Sequence, residues 1–98
     1  MKFLVTWQLH HGKLHDTLSS FSKISEEEET AMRGDHIQML GRWHDLVGGS
    51  GVAIIESDSA EAVSAYALSW SRTMDIDISP VVDDDQAKAL GRQLELNA

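Results

Sequence analysis

Hydrophobic periodicity along this chain switches between two and about 3.6 residues several times, and the order of those switches narrows the fold more than any single motif. Residues 2–9 alternate, with Phe3, Val5, Trp7 and Leu9 on one face and Leu4, Thr6 and Gln8 on the other, which predicts a strand. His10-His11-Gly12 ends that pattern, and Leu14, Leu18 and Phe21 then recur at helical spacing, predicting a helix over about 12–24. Ser25-Glu26-Glu27-Glu28 matches a capping box, in which a serine oxygen and a glutamate three residues on satisfy the first free N–H groups. A short second helical segment is expected from there to Gly34, with Glu26 to Glu29 as its solvated acidic start.

Ile37, Met39 and Trp43 alternate with Gln38 and Arg42, giving a second strand over about 36–44. Val52 to Ile55 is a short apolar run of the kind found in central strands. The glycine-rich segment from Asp45 to Gly51 reads as the turn between them. A phosphate-cradling loop would need a helix directly after it, and a strand follows instead. Asp58 and Glu61 resemble another helix start, and Val63, Tyr66, Ala67 and Trp70 mark one face of a helix over about 59–71. Met74, Ile76, Ile78, Pro80 and Val82 alternate with Asp75, Asp77 and Ser79 in a last strand, where proline favours an edge. Asp83 and Gln86 cap a C-terminal helix expected to bury Leu90 and Leu94.

Strand, helix, strand, hairpin, helix, strand is the split β-α-β order of a ferredoxin-like α+β domain, with its helices on one face of a four-stranded antiparallel sheet. At 98 residues one domain spans the chain, 1–98. Its second sheet face carries Leu4 and apolar side chains of the third strand. A closed two-fold homodimer, in the manner of a dimeric α/β barrel, is therefore the expected cover. Sixteen acidic against eight basic residues give a net charge of −8, which repels phosphate backbones and anionic lipid headgroups, so neither nucleic acid nor membrane is an expected partner. With no cysteine, thiolate metal sites, iron–sulfur clusters and cysteine nucleophiles are excluded. The polar residues Thr6, Gln8 and His10 interrupt the apolar start before it resembles a secretion signal, and a cytoplasmic protein is expected.

Four segments carry a resemblance to a known family: Met1 to Trp7, Gly41-Arg42-Trp43-His44-Asp45, Gly51 to Asp58, and Pro80-Val81-Val82-Asp83-Asp84. They resemble the small proteins catalogued as domain of unknown function 3303, over nearly the whole chain. The resemblance implies a branch of the dimeric α/β-barrel group, which includes small monooxygenases, haem-degrading enzymes, lactone isomerases and regulatory ligand-binding modules. One fold hosts all these activities, so the resemblance implies fold rather than chemistry. Its haem-degrading members use an asparagine on the first strand and a tryptophan and histidine around the second helix. Trp70 can stand for that tryptophan, but Trp7 lies near the asparagine position and no histidine follows His44, which disfavours that scheme.

Chemistry is densest at Arg42-Trp43-His44-Asp45, a cation, a flat ring and an imidazole at the end of one strand. Strand geometry puts Arg42 and His44 on one face and Trp43 on the other, unless a bulge intervenes. Trp43 is then a core or dimer anchor, Arg42 the partner of an acid, and His44-Asp45 the start of a turn; alternatively the segment borders a ligand. Trp7, Trp43, Tyr66 and Trp70 are the residues expected to line such a site between sheet and helices, although aromatic residues fill cores more often. His10, His11 and His15 are too few for a conventional zinc site, and no metal or cofactor is expected. Asp75 and Asp77 share a strand face, either as an acid–base pair or as charges protecting a sheet edge.

No complete catalytic constellation emerges. The preferred reading is a small-molecule-binding or accessory interaction module whose partner is a small organic ligand. The alternative is a cofactor-independent oxygenase or isomerase acting on an aromatic or carbonyl compound, with His44 as acid–base group and Arg42 holding an anionic part of the substrate.

Overall fold

Eight elements follow in the expected order in the computed structural model, which describes residues 1–96. They are β1 (Lys2–Leu9), α1 (Leu14–Ser22), α2 (Glu26–Arg33), β2 (Ile37–Asp45), β3 (Ser50–Ser57), α3 (Ala60–Trp70), β4 (Met74–Val81) and α4 (Asp84–Leu96). The four strands form one antiparallel sheet in the order β2-β3-β1-β4, with β1 and β3 central. Pro80 accordingly lies on an edge strand, where its missing N–H costs no ladder bond.

Register fixes which side chains face the helices. Phe3, Val5 and Trp7 lie opposite Ile55, Ala53 and Gly51 on one side and Pro80, Ile78 and Ile76 on the other, so these positions form the inner face. Leu4 lies opposite Ile54 and Thr6 opposite Val52 on the outer face. Between β2 and β3 the pairing slips: Met39 faces Ile55, and Gly41 faces the next residue, Ile54. Leu40 is therefore an extra residue, a β-bulge that shifts the pleat by one position. Before it Ile37 and Met39 face inward; after it Arg42 and His44 do. The unbroken alternation that put Trp43 beside Ile37 and Met39 is corrected by this shift, and Trp43 lies on the outer face, 62% exposed.

Local chemistry starts and stops the elements. Ser25 caps α2 by accepting the Glu28 N–H at 3.1 Å, and Gly34 ends it at φ 80°, a conformation that favours glycine. Asp45 organises the β2–β3 turn by accepting the Gly48 N–H at 2.9 Å, and Gly49, at φ 68°, completes it. Strand β3 starts at Ser50, so Gly51 belongs to the pleated ladder rather than to the turn. The α3 cap is Ser59, which accepts the Ala62 N–H, and not Asp58, whose carboxylate faces His36 instead. Asp83 and Gln86 form the expected reciprocal cap of α4, with bonds of 2.9 and 3.0 Å.

The core is thin. Phe3, Ile37, Ile55 and Val63 form its buried cluster, with Val5, Met39, Tyr66 and Ile78 packed around it. Helices α1, α2 and α4 contribute no fully buried residue to it. Leu90 and Leu94, expected on a buried face of the last helix, are 51% and 73% exposed, because α4 extends away from the sheet. The radius of gyration, 16.1 Å, reflects that extension, against roughly 13 Å for a compact chain of this length. Among the described residues, no helix is long and apolar enough to cross a membrane.

Candidate functional site

Because α1 and α3 stand off the inner sheet face, a cavity of about 100 Å³ opens between them. By the same measure one water needs roughly 10–15 Å³, so the space exceeds a packing defect several-fold. Small side chains help to create it. Ala53 floors it from β3, and Ala67 leaves room on α3. The absence of a side chain at Gly51 has a specific use. Gly51 pairs with Trp7 on one side and His44 on the other, and a Cβ there would overlap the Trp7 indole. Across that gap Trp7 reaches His44, edge to face, with ring centroids 5.6 Å apart.

Five of the six residues expected from sequence converge on this cavity: Trp7, Arg42, His44, Tyr66 and Trp70. Trp43 does not, because the Leu40 bulge turns it outward, where its ring lies over Gly41. Leu14, Leu18 and Phe21, seen in sequence only as a helix stripe, supply the α1 wall. Phe21 has a more particular position. Its ring lies 5.3 Å from the His44 ring and 4.9 Å below the Arg42 guanidinium carbon, so it braces both polar groups of the cavity wall.

Arg42 pairs with an acid, and that acid is Glu29 of α2. Glu29 also receives Arg33, one turn further along the helix, at 3.2 Å. Glu29 is thus no solvated cap residue: its side chain is only 13% exposed, whereas Glu26, Glu27 and Glu28 are exposed as expected. The hydrogen bond from Arg42 holds the Glu29 carboxyl below its ordinary value; burial opposes this, and the charges of Arg42, Arg33 and His44 reinforce it. Burial works against the Arg42 charge, but Glu29, with a further contribution from Tyr66, raises its pKa.

His44 is pushed below its ordinary 6.5, first by burial and then by the Arg42 charge, with Glu29 partly restoring it. The imidazole is consequently neutral at neutral pH and able to accept a proton or a hydrogen bond. Asp75 and Asp77 lie on the outer face of an edge strand, where Asp75 meets His10 at 3.0 Å. His11 and His15 are exposed.

These shifts have signs that can be measured. For His44 the unfolded chain binds a proton that the folded chain refuses, so its contribution to stability is complete above 6.5 and falls as pH drops toward the folded midpoint. For Glu29, also lowered, the contribution is complete above 4.5 and disappears as pH falls through its folded midpoint. In an NMR titration the His44 midpoint should lie below 6.5, rise in Arg42→Gln and fall further in Glu29→Gln. A midpoint at or above 6.5 that neither substitution moves would contradict this arrangement.

Among solved structures, the chain is similar to an uncharacterised NIPSNAP domain protein from Burkholderia xenovorans, with 12% identity, a TM-score of 0.46, and coverage of 85% of this chain and 95% of that one. No curated protein matches it. Residues 1–95 match the family described as Domain of unknown function (DUF3303), and the chain belongs to that family.

Proposed function

We propose that the protein binds a small, largely apolar organic molecule in the cavity between its sheet and helices α1 and α3. The observation that carries this reading is the combination of an apolar, aromatic-lined space with two convergent polar groups, Arg42 and His44, on a single wall. Ligand sites commonly have this composition, in which apolar walls supply affinity and a few polar groups set orientation. A neutral two-ring probe, 2-naphthamide, should quench the fluorescence of Trp7 and Trp70 saturably. Ala67→Phe, which fills the space, should abolish the effect. Quenching that does not saturate, or that survives Ala67→Phe in a folded protein, would contradict the reading.

A second reading is favoured by His44 in particular. A neutral imidazole beside a fixed guanidinium can take a proton from a carbonyl or phenolic compound while Arg42 holds the developing anion. This is the arrangement for a cofactor-independent oxygenase or isomerase acting on an aromatic or carbonyl compound. Conversion of a bound molecule by the pure protein, lost in His44→Gln with binding retained, distinguishes this reading from simple binding.

The working unit in this proposal is a homodimer in the manner of a dimeric α/β barrel, set in the cytoplasm. Its support is the thin core together with the apolar outer-face positions Leu4, Val52, Ile54 and Trp43. Chains of about this size are marginal when little apolar surface is buried, and a second copy covering this face adds what the single chain lacks. Light scattering after size exclusion should give twice the chain mass, and Trp43→Asp should shift it toward one chain. A monomeric native protein at micromolar concentration would rule the dimer out.

A further inference from the structure

We infer that the molecule this cavity takes carries one carboxylate, and that Arg42 recognises the carboxylate by exchanging it for Glu29. The inference rests on the binding reading above and names the ligand class. Among the described residues lining the cavity, Arg42 is the one lysine or arginine. Its guanidinium is already set for a planar anion: Phe21 lies against it, and a carboxylate, that of Glu29, already occupies it.

Three observations make Glu29 an exchangeable occupant rather than a permanent partner. First, it comes from α2, whose apolar residues Ala31 and Met32 are exposed, so that no packed apolar face fixes the helix to the sheet. Second, Arg33 holds Glu29 from within the same helix, so a Glu29 released by Arg42 keeps a cation. After the exchange neither carboxylate lacks a partner, which avoids the large cost of an uncompensated buried charge. Third, Arg42 and Met39 border both the main cavity and a separate hollow beneath α2 lined by Glu29, Thr30 and Arg33. Arg42 is thus shared by the two spaces while Glu29 lines only the second, and in the exchange parting the pair extends the cavity toward α2.

The charge of the ligand is bounded as well. A chain of net charge −8 disfavours multiply charged anions, and the cavity offers one guanidinium. A single carboxylate on an apolar body satisfies both conditions, and a neutral molecule of the same shape leaves Glu29 in place.

The matched probes 2-naphthoate and 2-naphthamide separate this exchange from general apolar binding. The native protein should bind the naphthoate in preference to the naphthamide. Glu29→Gln, which weakens the internal competitor, should increase that preference about tenfold, and Arg42→Gln should remove it. In the native protein, which needs no substitution to remain folded, the ¹³C signal of the Glu29 carboxyl should shift on saturation with naphthoate and stay in place with naphthamide. Equal affinities for the two probes, with the Glu29 signal unmoved, would overturn the exchange and leave the binding site standing. Failure of both probes to bind would overturn both.

Discussion

A single extra residue, Leu40, decides which chemistry this domain presents to its interior. A pleated strand alternates faces strictly, so a one-residue slip reverses every side chain beyond it. The slip between Met39 and Gly41 falls where β2 passes from the core to the cavity. Ile37 and Met39 contribute apolar packing before it, and Arg42 and His44 contribute polar groups after it. In a regular strand Trp43 would fill the space and the two titratable groups would point into solvent. The bulge exchanges a tryptophan plug for a polar wall.

The rest of the cavity depends on what is missing. Gly51 admits the Trp7 indole between β1 and β2, and Ala53 and Ala67 keep floor and roof apart. Helix α1 contributes no fully buried residue, yet Phe21 braces both Arg42 and His44. Helix α2 is placed by charge, through Glu29, Arg33 and Arg42. Such an arrangement spends little apolar burial on rigidity, and the core of Phe3, Ile37, Ile55 and Val63 is correspondingly small. Space, polar groups and a loosely packed helix therefore arise from the same economy of packing.

Much of the fold was legible in the sequence because its elements announce themselves locally. The alternation of β1 gave the inner face directly, and Ser25, Gly34, Asp83 and Gln86 act at the caps where their residue types suggest. The departures share a different cause: each depends on something distant. The Leu40 bulge exists only in relation to β3: Leu40 and Gly41 disturb the alternation of Ile37, Met39 and Trp43, but the residues themselves do not say that the pleat slips by one position. Glu29 belongs to an acidic run that suits a solvated helix start, and its partner lies on another element. Gly51 resembles a turn residue until its strand neighbours Trp7 and His44 are known. Leu90 and Leu94 have the spacing of a buried face, but periodicity alone does not say whether the surface that covers them belongs to the same chain.

The candidate site was legible as a set of residue types more than as an arrangement. Trp7, Arg42, His44, Tyr66 and Trp70 drew attention by their chemistry, whereas Phe21 and Glu29 became visible only through the contacts they make. The account therefore turns on the phase of β2, and the most direct measurement is the pattern of nuclear Overhauser contacts among the aromatic rings in solution. The His44 ring protons should show contacts with both Trp7 and Phe21, while the Trp43 indole shows none to Phe21 or Tyr66. Trp43 contacts to those rings, with His44 lacking them, would mean that β2 runs without its bulge and that Arg42 and His44 do not form the cavity wall.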